Sequence, residues 1–124
     1  MAEEPIPADL RDFILRYIDS VAQLEALLLL RANPQEEWDA QKTASRLYAS
    51  EAEAAAVLTR LCEDGLLTCH DGIYRYHPEE NARDVIDRLA ATYARHLIPV
   101  TNMIHAKPRR IREFADAFRF RKDR

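Results

Sequence analysis

Four residues in the middle of the chain, Cys62, Cys69, His70 and His77, have the types and the closeness to hold a metal or to cycle between redox states. Their spacing, C-x6-C-H-x6-H, matches none of the usual zinc patterns, and strand alternation through this stretch sends Cys69 and His70 to opposite faces. Core thiols beside surface histidines are the expected arrangement. Two cysteines can make at most one bridge, and a chain able to form an ordinary core does not need it, so reduced, partly buried thiols are expected. Ser20, Ser45 and Ser50 fall at helix caps or within a helix, without a Ser/His/Asp geometry. No helical H-E-x-x-H occurs, and Gly65 and Gly72, the only glycines, make no phosphate-binding loop. The expected protein is not an enzyme and carries no metal or cofactor.

Charge is the second chemical signal. The net charge is −3, yet residues 1–106 carry 10 Lys/Arg against 18 Asp/Glu, whereas residues 107–124 carry 8 against 3. An acidic body with a basic end points to a polyanion, a membrane surface or an acidic partner at that end only.

Length and composition frame what positions these residues. A chain of 124 residues is one domain by size, and a composition dominated by Leu, Ala, Glu and Arg favours helix. The longest apolar run, Ala26 to Leu30, is far short of the roughly 20 residues that span a bilayer, and the acidic N-terminus lacks a signal peptide's order. A cytoplasmic protein without a membrane span is expected.

Residues 1–7 hold two prolines and are expected to be frayed. A first amphipathic helix begins near Ala8, with Leu10, Phe13, Ile14, Tyr17 and Ile18 at helical spacing. Ser20 and Gln23 form a capping-box pattern that opens a second helix, ended by Asn33-Pro34. Trp38 is expected to plug the core and add a minimal strand. Asp39 caps a helix to Tyr48, and Ser50 caps another that Gly65 stops. A two-residue Asp71-Gly72 turn pairs His70 with Ile73, Cys69 with Tyr74, Thr68 with Arg75 and Leu67 with Tyr76. Leu67, Cys69, Tyr74 and Tyr76 then form the face turned to the core.

From Glu79 a long helix is expected, with Pro99 kinking or splitting it near Ile98. Its stripe of Ile86, Leu89, Tyr93, Leu97, Val100 and Ile104 is close to a coiled-coil seam and longer than a small domain can cover, so it is read as a homodimer interface. Lys107-Pro108 breaks the chain before a basic amphipathic last helix with Ile111, Phe114, Ala115 and Phe118 on its apolar stripe. The division expected is a domain over 8–78, a dimerisation arm over 79–106 and a basic tail over 107–124.

Two helices joined by a short turn, the second ending L-x-x-x-G-L-L, followed by a D-G hairpin, make residues 20–78 resemble the winged helix-turn-helix superfamily. The similarity is to the DNA-binding part of MarR-like bacterial regulators, carried by Ser50, Leu58, Leu61, Gly65, Leu66, Leu67, Gly72 and Tyr74. The fold class implied is mostly α with a small β-hairpin: a winged helix-turn-helix with a C-terminal helical extension. The resemblance also implies that the helix over 51–64 lies in the major groove and reads bases with its N-terminal half.

At those positions the chain has Glu51, Ala52, Glu53, Ala55 and Ala56, where readers use Arg, Lys, Ser, Thr, Asn or Gln. Carboxylates repel phosphate, and alanines offer little beyond a thymine-methyl contact. Glu51 and Glu53 are also ordinary stabilisers of a helix N-terminus. Backbone contacts are therefore assigned to Lys42, Arg46, Arg60 and Arg75, and to the tail residues Lys107, Arg109, Arg110, Arg112, Arg119, Arg121, Lys122 and Arg124. The leading expectation is a non-catalytic, homodimeric, winged-helix transcriptional regulator that binds DNA. The alternative is a protein-interaction module whose acidic helix 51–64 docks a basic partner from the transcription machinery.

Overall fold

The computed structural model describes residues 6–106, and the expectations for the basic tail lie outside them. Six helices and one hairpin follow in the order α1 (Ala8–Tyr17), α2 (Val21–Ala32), α3 (Ala40–Leu47), α4 (Glu51–Glu63), β1 (Leu67–His70), β2 (Ile73–Tyr76), α5 (Glu80–Arg95) and α6 (Leu97–Ala106). This is a mostly helical, winged-helix-like fold with a small antiparallel hairpin.

Local chemistry sets the boundaries. The Ser20 hydroxyl accepts from the Gln23 N–H at 3.0 Å, while the Gln23 side chain accepts from the Asp19 N–H at 2.8 Å and donates to the Tyr17 carbonyl at 2.8 Å. Ser20 thus caps α2, and the buried Gln23 side chain closes the α1–α2 corner, so its polar atoms are satisfied where burial alone would be costly. Asp39 accepts from the Lys42 N–H at 2.8 Å and Ser50 from the Glu53 N–H at 3.0 Å, starting α3 and α4. Gly65, at φ +80°, ends α4, with the Leu66 N–H donating to the Leu61 carbonyl and the Gly65 N–H to the Cys62 carbonyl.

The turn between α3 and α4 places Tyr48 in the left-handed region at φ 57° with its ring 97% exposed. At the hairpin tip Asp71 and Gly72 have φ 53° and 76°, the pair of positive values that a two-residue type I′ turn needs. All four expected strand pairs form. Trp38 is fully buried and exchanges backbone bonds with Tyr74 at 2.8 and 2.6 Å, adding a one-residue third strand beside β2. Leu67 and Tyr76 are buried, but Cys69 is exposed: the hairpin outruns the helices beneath it, so the inner face loses its cover toward the tip.

One core joins the helices, with α3 contributing only the part-buried Leu47 at its edge. Leu10, Ile14 and Ile18 of α1 meet Leu24, Leu27 and Leu30 of α2, Leu58 and Leu61 of α4, Ile86 and Leu89 of α5, and Val100 and Ile104 of α6. Ile6 is buried with them at 3% exposure, so the chain is anchored before α1, two residues earlier than expected.

One expectation is corrected. The cysteines are not reduced: Cys62 and Cys69 are joined, because the Gly65 turn brings their Cα atoms to 6.2 Å, within the span of a disulfide. The split expected near Ile98 does occur in the long helix after Glu79, but two residues earlier. The helix breaks at His96 (φ −131°, ψ 54°), one turn before Pro99, whose ring excludes a helical carbonyl four residues back and sits without conflict in the first turn of α6. After the break α6 packs on the body.

Candidate functional site

The surface that the resemblance assigns to reading bases is the N-terminal half of α4 and the wing beside it. Glu51, Ala52, Glu53 and Ala56 are exposed there, while Ala54, Leu58 and Leu61 hold the opposite side of the helix in the core. Ser50 satisfies one helix-end N–H, and the two glutamates lie in the first turn, where the helix dipole favours negative charge. The exposed half of α4 is therefore short, acidic and alanine-lined.

The hairpin is fastened to this helix twice. The Cys62–Cys69 bond ties the end of α4 to β1, and the hydroxyls of Thr59 and Tyr74 lie 3.4 Å apart between α4 and β2. Helix and wing thus form one piece. The wing tip itself is His70-Asp71-Gly72, with the His70 ring 3.3 Å from the Asp71 carboxylate and no Lys or Arg.

The four cations assigned to phosphate contact flank α4, but most are already engaged by carboxylates. Lys42 Nζ lies 2.8 Å from Glu36 and 4.3 Å from the centre of the Trp38 ring. Arg75 pairs with Glu37 at 3.0 Å. Arg60 lies between Asp64 at 3.4 Å and Asp19 at 3.7 Å. Arg46 stacks on Trp38 at 5.4 Å, its guanidinium exposed. Across residues 35–76 four Lys/Arg face eight Asp/Glu. Each pair is partly solvent-exposed and adds little stability, but each phosphate contact made through Lys42, Arg60 or Arg75 would first separate an existing pair.

The cysteine and histidine cluster does not assemble into a ligand set. The two sulfurs are bonded to each other, and among the described residues no group of three His, Cys, Asp or Glu side chains converges as metal ligands.

Four of the six residues assigned to a dimer seam are in the core of their own chain: Ile86, Leu89 and Val100 are fully buried and Ile104 nearly so. Polar clamps hold α5 in place. Arg88 binds the Asp9 carboxylate through two contacts at 2.6 and 3.0 Å, Arg31 binds Asp87 at 2.8 Å, and the Tyr93 hydroxyl donates to Glu25 at 2.9 Å. The Arg88 bond holds Asp9 below its ordinary carboxylate value, and burial, then Glu25, pushes Tyr93 up to about 12. Leu97 stays 49% exposed, and its neighbour Ile98, outside the expected seam, is 63% exposed. The periodicity of the seam is apolar as expected, and those four of its residues pack against their own chain.

A groove elsewhere on the body was not expected. Phe13 and Tyr17 of α1, the Asp64–Leu66 turn and the start of α5 enclose a groove of about 450 Å³. Its apolar wall could have been suspected from the aromatic pair at i, i+4 on α1; its acidic rim depends on the tertiary meeting of Asp64 with Glu79. Among the described residues no helix is long and apolar enough to cross a membrane.

No protein-family model and no curated protein matches the chain. Among solved structures it is similar to a possible transcriptional regulator from Methanosarcina mazei Go1, at 17% identity over 72% of this chain and 80% of that one, with a TM-score of 0.48. The fold assignment rests on the elements described above.

Proposed function

We propose that the protein is a non-catalytic, regulator-type winged-helix protein whose α4 face docks a basic protein surface instead of reading DNA bases. The observation that carries this reading is the charge state of the face: Glu51 and Glu53 are exposed at the reading positions, while Lys42, Arg60 and Arg75 beside them are held by Glu36, Asp64 and Glu37. Such a face repels phosphate and complements Lys and Arg. A basic partner from the transcription machinery fits this chemistry.

A second reading has its own support. The 8 Lys/Arg against 3 Asp/Glu in residues 107–124 suit contact with DNA phosphates in a homodimer, without sequence readout by α4. Fluorescence anisotropy of a labelled duplex with the full chain, across a salt series, separates the two. The docking reading expects no binding; the second reading expects binding that is lost when Lys107, Arg109, Arg110 and Arg112 are replaced by Gln and is indifferent to Glu51→Gln/Glu53→Gln. Tighter DNA binding by the Glu51→Gln/Glu53→Gln variant would place α4 against phosphate and refute the docking reading.

A further inference from the structure

The groove between α1, the α4–β1 turn and α5 has an unusual pairing of wall and rim. Its wall is apolar and aromatic: the Phe13 and Tyr17 rings lie 5.0 Å apart, beside Leu66 and Ala82. Its rim is acidic, with Glu79 on one side and Asp64, whose carboxylate is already shared with Arg60 at 3.4 Å, on the other. Glu79 is the residue before α5, is exposed and makes no capping bond, and the exposed Glu63 and Glu80 adjoin the two rim acids in sequence. A segment that fits must present aromatic side chains between cations.

The chain carries such a segment itself. Residues 107–124 hold Phe114, Phe118 and Phe120 among eight Lys/Arg. Phe114 and Phe118 are four residues apart, the spacing that places two side chains on one side of a helical turn. The segment starts one residue after Ala106, the end of α6, and 18 residues at up to ~3.3 Å each reach about 60 Å, several times the roughly 13 Å radius of gyration of a body near 100 residues. Tethering also places it at an effective concentration of about millimolar, which a free peptide in another protein lacks. The other acidic surface, the Glu51/Glu53 face of α4, offers only alanines and no wall for phenylalanine rings.

We infer that the groove is the docking site of the chain's own C-terminal segment, with Phe114 and Phe118 against the part-exposed Tyr17 and Ala82 and the flanking arginines at the exposed Glu79. The contact withdraws the basic segment from other anions and makes it available only when a competitor takes its place. It does not depend on the reading of α4.

The test uses the full chain, with phenylalanine rings isotopically labelled, in solution NMR. Docking expects nuclear Overhauser contacts from the Phe114 and Phe118 rings to Tyr17 and Ala82, weakening as salt rises. The double variant Glu79→Lys/Asn81→Lys, at two exposed positions, is expected to lower the docked-to-free ratio about fivefold to tenfold, as reversed charge at a screened rim implies. Phe114→Ser/Phe118→Ser is expected to return the Tyr17, Leu66 and Ala82 signals to undocked positions. The inference is overturned if those contacts are absent, if they run to α4, if they appear only between differently labelled copies, or if the rim variant leaves them unchanged.

Discussion

Breaking the Cys62–Cys69 bond is the sharpest perturbation of the piece formed by α4 and the wing. The two cysteines are seven residues apart, so the closed loop is short. Loop-closure entropy of about −2.1 − 1.5R ln n cal/mol/K, for n near eight, corresponds to ~2.5 kcal/mol of destabilisation at 25 °C when the bond is opened. Cys69 is exposed and Cys62 half-buried, so serine at either site forfeits little packing and the loop term should dominate. At about 4–8 °C per kcal/mol for a domain near 100 residues, the melting temperature should fall by ~10–20 °C. Thermal unfolding followed by circular dichroism, with and without a dithiol reductant, measures it, and mass spectrometry verifies the oxidised state beforehand. The Cys62→Ser/Cys69→Ser variant should melt with the reduced wild type and ignore the reductant. Coincident melts of the verified oxidised and reduced chains would refute the reasoning, because they would mean the unfolded chain already holds these two residues close. Free thiols in the untreated protein would refute the bond itself.

Three further outcomes are expected. Leu89→Ala should cost about 2–5 kcal/mol in denaturant unfolding at a midpoint independent of protein concentration, because Leu89 is buried in its own chain; Leu97→Ser/Ile98→Ser should leave that midpoint nearly unchanged. A concentration-dependent midpoint abolished by Leu89→Ala would restore the seam as a dimer interface. Tyr93 ionises near 12 in the fold against an ordinary value near 10, so its contribution is fully present below about pH 10 and is lost as pH rises through about 12. Tyr93→Phe should flatten urea stability over that window, and an unchanged slope would contradict the Glu25 contact. Asp9, held low by Arg88, contributes stability above the ordinary carboxylate range that disappears as pH falls through its depressed value. Asp9→Asn should therefore remove part of the acid dependence of the urea midpoint, and an unaltered acid limb would contradict the α1–α5 clamp.

Short-range rules made much of this fold legible. Ser20, Asp39 and Ser50 each bond the backbone N–H three residues on, and Asp71-Gly72 alone fixes the four hairpin pairs, because caps and two-residue turns are decided by a handful of adjacent atoms. What a residue faces across the molecule was not legible. The apolar stripe of α5 and α6 reads the same whether it packs on a second copy or on α1 and α2, and Arg88–Asp9 and Tyr93–Glu25, which tie α5 to α1 and α2, span 79 and 68 residues. The cysteine pair failed for a related reason: reduced thiols followed from chain size, whereas the bond follows from the Gly65 turn folding β1 back on α4. Lys42, Arg60 and Arg75 were visible as cations, but not their carboxylate partners.

The pairing of those cations bears on the whole candidate surface. An exposed ion pair is worth at most about 1 kcal/mol, so Glu36, Glu37 and Asp64 are not needed there for stability. Their larger effect is on what can approach: a phosphate backbone meets a surface whose positive groups, Arg46 apart, are engaged and whose open acids are Glu51 and Glu53, while a basic protein meets these two carboxylates on a helix fastened to its wing at Cys62–Cys69. A fixed, acidic helix end favours a partner with a matching rigid basic face, since little ordering entropy is lost when both sides are preorganised. Positive charge, by contrast, is gathered in residues 107–124, on the far side of α6 in the chain. Separating the two signs in this way keeps the acidic face open only if the basic segment has a better place to rest than α4, and the aromatic wall at Phe13 and Tyr17 supplies what the alanines of α4 cannot.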